Sequence, residues 1–240
     1  MENLETKDAQ VNITFWQKVL IALKNGAIPF LFILVADLLS WTGNQIWGPK
    51  TGFQPNLPID AHIPFVSWFI IFYFICFPAA AIAFFVLAYK NKRRAYDVAF
   101  TMTIALLISG IIYFCWQTEF PLEWKYKWLP ENMNFFDRWT YATWHTGLPT
   151  NLLPSQHCFF AIACIITVVD SKYMAWWYRA LMIVFNILVI LSTLFLKQHF
   201  ILDFVASLGI MLVLYLTARL FRFGDKVDKR VEERKLKFKK

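Results

Sequence analysis

A chain of 240 residues with a formal net charge of +8 is long enough for one or two water-soluble domains. Composition excludes that class: 58% of the residues are hydrophobic and 17% charged, the balance of a polytopic membrane protein. The excess charge collects in the tail "RLFRFGDKVDKRVEERKLKFKK", where it suits anionic lipid; no folded basic domain accompanies it, which argues against a nucleic-acid partner.

Residues 1–26 are expected to form a cytoplasmic N-terminus with an amphipathic lead-in helix over "FWQKVLIALKN". The start is polar and mixed in charge, so no cleavable signal is expected, and Asn12-Ile13-Thr14 is a glycosylation sequon left idle on that side. Residues 27–221 hold six apolar runs, each spanning helix needing about 20 residues. The first is centred on "AIPFLFILVADLLSW". The second is Phe65 to Tyr89, where Pro78 predicts a kink, and the third is Val98 to Trp116. The fourth, "HCFFAIACIITVV", is short. The fifth is "WWYRALMIVFNILVILSTLFL", and the sixth runs from Lys197 to near Phe221. The predicted fold is all-α, a six-helix transmembrane bundle, with residues 222–240 as a basic cytoplasmic tail.

Loop charges orient the bundle. Lys90, Lys92, Arg93 and Arg94, then Lys172 and Arg179, then the tail all fall on one side, which the positive-inside rule makes cytoplasmic. Six crossings put both termini there. The long loop from Gln117 to Gln156 and the turn before Lys197 then lie outside. Compact size and the lack of a eukaryotic targeting signal point to a bacterial plasma membrane. The cysteines, Cys76, Cys115, Cys158 and Cys164, show no CxxC or Cys/His spacing and read as small apolar packing residues.

Two histidine-bearing stretches fall on the outer side: "LPSQH", Leu153 to His157, and "KQHFILD", Lys197 to Asp203. His199 and Asp203 are spaced i,i+4 and share a helix face. A carboxylate so placed fixes the imidazole tautomer and frees the other nitrogen as a nucleophile. His157 can protonate a leaving oxygen. Ser155 stands at a helix N-cap, where phosphate binds readily, and Lys197 adds a positive charge. Together these describe a phosphoryl-transfer site. Each also has a structural reading: His157 as a packing histidine, His199–Asp203 as a helix clamp, Ser155 as a simple cap, Lys197 as a snorkelling anchor. His145 and His62 have no such partners. Asp37 reaches either the cavity or only the interface.

"PSQH", followed about forty residues later by "STLFLKQHFILD", resembles the type 2 phosphatidic acid phosphatase superfamily. "IDAHIPFVSWFIIFYFICFP" looks like the inositol-phosphorylceramide-synthase-like branch. The resemblance implies that His199 forms a phosphohistidine, Asp203 orients it, His157 is the general acid and Ser155 contacts phosphate. Gln156 replaces the glycine of the second motif, Thr193 replaces the arginine of the third, and the first motif is degenerate. Lys197, Lys125, Lys127 and Arg138 are the candidates for the missing positive charge, with Gln156 beside them.

The expected function is a metal-independent integral-membrane lipid phosphatase, without cofactor, acting on a lipid phosphate or pyrophosphate at the outer face. The alternatives are a lipid phosphotransferase using an alcohol acceptor and a non-catalytic membrane protein retaining the fold.

Overall fold

The computed structural model describes residues 13–169, 171 and 174–237. In hydrocarbon a backbone satisfies its polar groups by closing on itself as a helix, and the described residues form helices with no strand. In chain order these are α1 (Phe15–Trp47), α2 (Ile70–Lys90), α3 (Lys92–Cys115), α4 (Leu122–Tyr126), α5 (Phe135–Trp144), α6 (Gln156–Val169), α7 (Trp176–Phe195), α8 (Ile201–Leu220) and α9 (Phe223–Lys237), with short 3₁₀ turns at Pro58–His62 and Ser67–Phe69.

Among the described residues, five helices are long and apolar enough to cross a membrane: α1, α2 with its 3₁₀ lead-in, α3, α7 and α8. The expected sixth span is α6, which has only 14 residues. At 1.5 Å per residue it covers about 21 Å, short of a hydrocarbon core of about 30 Å. Its brevity has a physical basis. α6 is the buried centre of the bundle, packed against α2, α3, α7 and α8, and Cys158 to Cys164 are all buried. A helix enclosed by protein need not match the bilayer. Outward faces are apolar, with Leu31, Phe32, Leu38, Val205, Val213 and Leu216 exposed, while Ser40, Thr101, Ser109, Asn186 and Ser207 are buried. This is the distribution expected when lipid is the solvent.

The separate lead-in helix expected before residue 27 is not present. α1 is continuous through Pro29, and the boundary between residues 26 and 27 falls inside it. Asn25 Nδ2 donates to Ala88 O at 3.1 Å, and a Cβ on Gly26 would lie 3.0 Å from Ala88 Cβ, so this stretch is held close against α2. Thr14 caps α1 through Gln17 N–H; Asn12, the acceptor position of the sequon, lies outside the described residues. α2 likewise runs unbroken through Pro78. Cys76, Cys158 and Cys164 are buried and free, whereas Cys115 is exposed at the end of α3.

The ends of α2 and α8, the starts of α3 and α7, and α9 gather at one end of the bundle with Lys90, Lys92, Arg93, Arg94, Arg179 and Arg219; Lys172 lies outside the described residues. The tail expected after residue 221 is helical and folds back along α3 as α9. Lys92 pairs with Asp228 at 2.7 Å, and Arg93 with Asp228 at 3.1 Å. Buried Asp97 accepts Gly224 N–H at 2.7 Å and lies 3.8 Å from Arg219. A Cβ on Gly224 would sit 2.0 Å from Arg93 O, so glycine is needed at this approach. Replacing Asp97 with alanine is expected to cost about 1–3 kcal/mol and to open α9 to trypsin. A thermal melt and limited proteolysis in detergent check this.

Candidate active site

The opposite end of the bundle is closed by α4, α5 and the loops around them. The loop before α6 is tied in by Gln117, which donates to Asn151 Oδ1 at 2.8 Å and accepts Asn151 N–H at 2.9 Å. Asn151 adopts φ 65°, a left-handed conformation that asparagine tolerates. Its Nδ2 donates to Trp41 O at 3.2 Å, anchoring the loop on α1.

Five residues turn α7 into α8. Lys197 is left-handed there, at φ 54°. The tight turn lets Thr193 O accept both Gln198 N–H (3.0 Å) and His199 N–H (3.1 Å), which fixes His199 just before α8. Asp203 sits in the first turn of α8, where its Oδ2 accepts Phe200 N–H at 2.8 Å. A carboxylate there is favoured by the helix dipole. The same Oδ2 lies 3.1 Å from His199 Nδ1, and Leu152 O lies 3.1 Å from that nitrogen too. Both neighbours are acceptors, so Nδ1 must carry the proton. Nε2 is then left with its lone pair.

His157 occupies the second position of α6. Its ring stacks on Tyr73 at 3.8 Å between centroids and meets Phe77 edge-on at 4.7 Å. Its Nε2 is buried with no hydrogen-bond partner among the described residues. The His157 and His199 centroids are 6.4 Å apart. That spacing leaves room for one phosphoryl group between a nucleophile and a proton donor. Both rings line a cavity of about 340 Å³ that also includes Lys125, Gln156, Gln198 and Asp37.

Ser155 is not on the cavity wall. It is fully buried, its Oγ accepts Cys158 N–H at 3.3 Å to cap α6, and its carbonyl accepts the Ser207 hydroxyl at 3.1 Å. Those bonds occupy it as a brace between α6 and α8. Gln156 lines the cavity and donates to Ser40 Oγ, so the residue in the motif's glycine position tethers α1 to the start of α6.

The candidate cations are placed very differently. Lys125, on α4, is 1% exposed and faces the cavity, and among the described residues it has no carboxylate in ion-pair range. Its Nζ donates to Gln198 Oε1 at 3.3 Å and lies 5.3 Å from the Phe120 ring and 5.8 Å from Trp144. Burial pushes its pKa down from 10.5 to about 7. Lys197 points elsewhere. Its Nζ donates to Ile63 O and lies 3.8 Å from the Trp128 ring centroid, in a second cavity of about 260 Å³ that Asp60 and His199 also line. Desolvation lowers its pKa to about 8, partly offset by Asp60. Lys127 lines that second cavity and is exposed; Arg138 is exposed on α5 and lines neither cavity.

His145 is held by Tyr126 OH at 2.9 Å and Tyr141 O at 2.7 Å, away from the cavity. Gln198, between Lys197 and His199, also lines the cavity and is a site residue that the residue types alone do not reveal. Its signal was its place inside the third motif. Among the described residues no cluster of three or more His, Cys, Asp and Glu side chains is arranged to hold a metal.

A family profile described as PAP2 superfamily matches residues 50–217, a span that contains both histidine motifs. No curated protein and no solved structure matches the chain. The family match covers well over half of the sequence, and His157 and His199 within it face one another across one cavity. The chain therefore belongs to the PAP2 superfamily, whose members are in general phosphatases or phosphotransferases.

Proposed function

We propose that this protein is a lipid phosphatase that works through a phosphohistidine on His199. The observation that carries this reading is the pair His199 and His157 across the cavity, with Nδ1 of His199 held by Asp203 and Leu152 O. The Nε2 lone pair attacks phosphorus, a P–N bond forms, and the P–O bond to the lipid breaks. The leaving oxygen takes a proton from protonated His157. Neutral His157 then removes a proton from water, whose oxygen attacks phosphorus, and the P–N bond breaks to restore His199. Lys125 supplies the positive charge on the phosphate oxygens. No metal takes part in this scheme.

A lipid substrate is supported by the cavity's aromatic wall on α2. Phe74 and Phe77 line the cavity and are 43% and 38% exposed, so the reacting space borders the apolar outer surface. The basic end of the bundle is assigned to the cytoplasm by the positive-inside rule, which puts the site at the extracytoplasmic face. On α9, Asp225 and Asp228 turn toward α3 while Lys226, Lys229, Arg230 and Arg234 are exposed, an arrangement suited to anionic lipid.

Purified protein in detergent is expected to release inorganic phosphate from phosphatidic acid or an isoprenyl pyrophosphate in the presence of EDTA. No release across a panel of lipid phosphates would overturn the proposal and favour a non-catalytic protein. A second reading, transfer to an alcohol, is supported by a cavity much larger than a phosphate group. Labelled lipid supplied with candidate alcohols separates the two, since transfer yields a labelled phosphoester in place of free phosphate.

A further inference from the structure

Asp37 sits on the wall of the reaction cavity, one turn before Trp41, which lines it too. Its Oδ1 is buried and accepts no hydrogen bond from any of the described residues. The scheme above gives it no task. α1 also precedes the residues matched by the family profile, so membership of the superfamily says nothing about Asp37.

The surrounding bonds hold this part of α1 firmly against the site. Ser40 receives the Gln156 amide, and Trp41 O receives Asn151 Nδ2 at 3.2 Å. Gln45 Oε1 accepts Leu148 N–H at 2.8 Å, and its Nε2 donates to Thr150 Oγ1 at 3.2 Å. Leu148, Thr150, Asn151 and Gln156 all line the same cavity as Asp37. The carboxyl is therefore presented to the reacting space by a fixed scaffold.

Two costs attach to a carboxyl in that position. A buried acceptor with no donor is penalised by lost solvation. A negative charge near an incoming phosphate also opposes binding. One ligand feature removes both costs: an O–H or N–H on the substrate, beside the phosphate, directed at Asp37. A second phosphate in the same place would increase them.

We propose that Asp37 is a specificity residue that accepts a hydrogen bond from a hydroxyl or ammonium group next to the phosphate of the substrate. It follows that lipid phosphates carrying such a donor are preferred over plain alkyl phosphates. This rests on the phosphoryl-transfer reading and deepens it.

The test uses three esters of one chain length, dodecyl phosphate, 2-hydroxydodecyl phosphate and 2-aminododecyl phosphate, as competitors of phosphatidic acid hydrolysis by the full-length protein. Wild type is expected to show a Ki about tenfold or more lower for a donor-bearing ester than for dodecyl phosphate. Asp37→Ala is expected to bring all three Ki values together. Asp37→Asn retains a carbonyl acceptor without the charge. It should keep part of a preference for the hydroxyl ester and lose a preference for the ammonium ester, which separates the two sources of the donor. Ratios of Ki within one variant do not depend on how much of it is folded.

Equal Ki values in wild type overturn the inference, as does a wild-type preference that survives in Asp37→Ala. Loss of phosphatidic acid turnover in both variants also overturns it, since that outcome makes Asp37 a reacting group. If wild type hydrolyses no lipid phosphate, the proposed function fails and this assignment fails with it.

Discussion

Replacing His199 with alanine is expected to reduce phosphate release from a lipid phosphate by at least about a thousandfold, the scale of removing a covalent nucleophile. The loss should appear in kcat, because the substrate's chain and phosphate contacts remain. Asp203→Asn should also lower kcat, by on the order of a hundred- to ten-thousandfold, by analogy with other histidine–aspartate pairs. An amide at that position can present N–H to Nδ1, and the imidazole then turns its proton toward the substrate. His199→Ala and His157→Ala are told apart by a direct measurement. Wild type quenched in alkali after brief exposure to labelled substrate should carry acid-labile, base-stable label, and His199→Ala should carry none. His157→Ala should still acquire label from a substrate with a good leaving group, because such an oxygen needs no proton. Label that persists in His199→Ala would place the nucleophile elsewhere. His199→Ala leaves Asp203 with Phe200 N–H as the remaining partner of Oδ2, and its Oδ1 is already unpartnered. A thermal melt is therefore needed beside the activity, with an expected destabilisation of about 1–3 kcal/mol.

The spanning helices were legible in the sequence because apolar runs have few alternatives in lipid. α6 was harder to judge: its run of 13 apolar-rich residues, His157 to Val169, looks like a truncated span, and only its enclosure by four other helices explains the length. α9 reads as a solvated basic tail until Asp225 and Asp228 are seen to meet Lys92 and Arg93, more than 130 residues away in the chain. In the site, the i,i+4 spacing did bring His199 and Asp203 together, but not on one helix face: His199 precedes the Phe200 cap of α8, and the two meet because Asp203 folds back over the start of that helix. His157 joined them through tertiary packing that the sequence could suggest only by resemblance. The cations were the least legible part. Lys197 is two residues from His199, yet a left-handed backbone at that position directs its ammonium to Ile63 O and the Trp128 ring, in a different cavity. Lys125 is more than seventy residues from His199 and shares its cavity. Proximity along the chain was a poor guide where a turn intervenes.

Lys125→Met is expected to make the protein more stable and less able to bind substrate. Burial without a carboxylate partner lowers the lysine pKa from 10.5 to about 7. In the unfolded chain the group titrates near its ordinary value. Between about pH 7 and 10.5 the unfolded chain binds one more proton than the folded one, so stability rises with pH across that window. Below about pH 7 both states are protonated, and the full cost of burying the ammonium is present. From the drop in pKa that cost is on the order of 5 kcal/mol. Methionine has similar length and no charge, so Lys125→Met should raise the melting temperature at pH 6 and abolish the rise with pH. Function should respond in the opposite sense. A phosphate bound against Lys125 needs the ammonium form, so above about pH 7 wild-type affinity should fall toward a limit of tenfold per pH unit. The variant should bind about ten- to a hundredfold more weakly at pH 6, the scale of one charge-assisted hydrogen bond, and lose that pH dependence. Melting curves and KM for phosphatidic acid at pH 6 and pH 9 measure both halves. A variant that is less stable than wild type at pH 6 would mean that Lys125 is paired in the folded protein. An unchanged KM would move the phosphate away from it. A lysine retained at a cost to stability, beside two histidines and without a counter-ion, is best accounted for by an anion that arrives with the substrate.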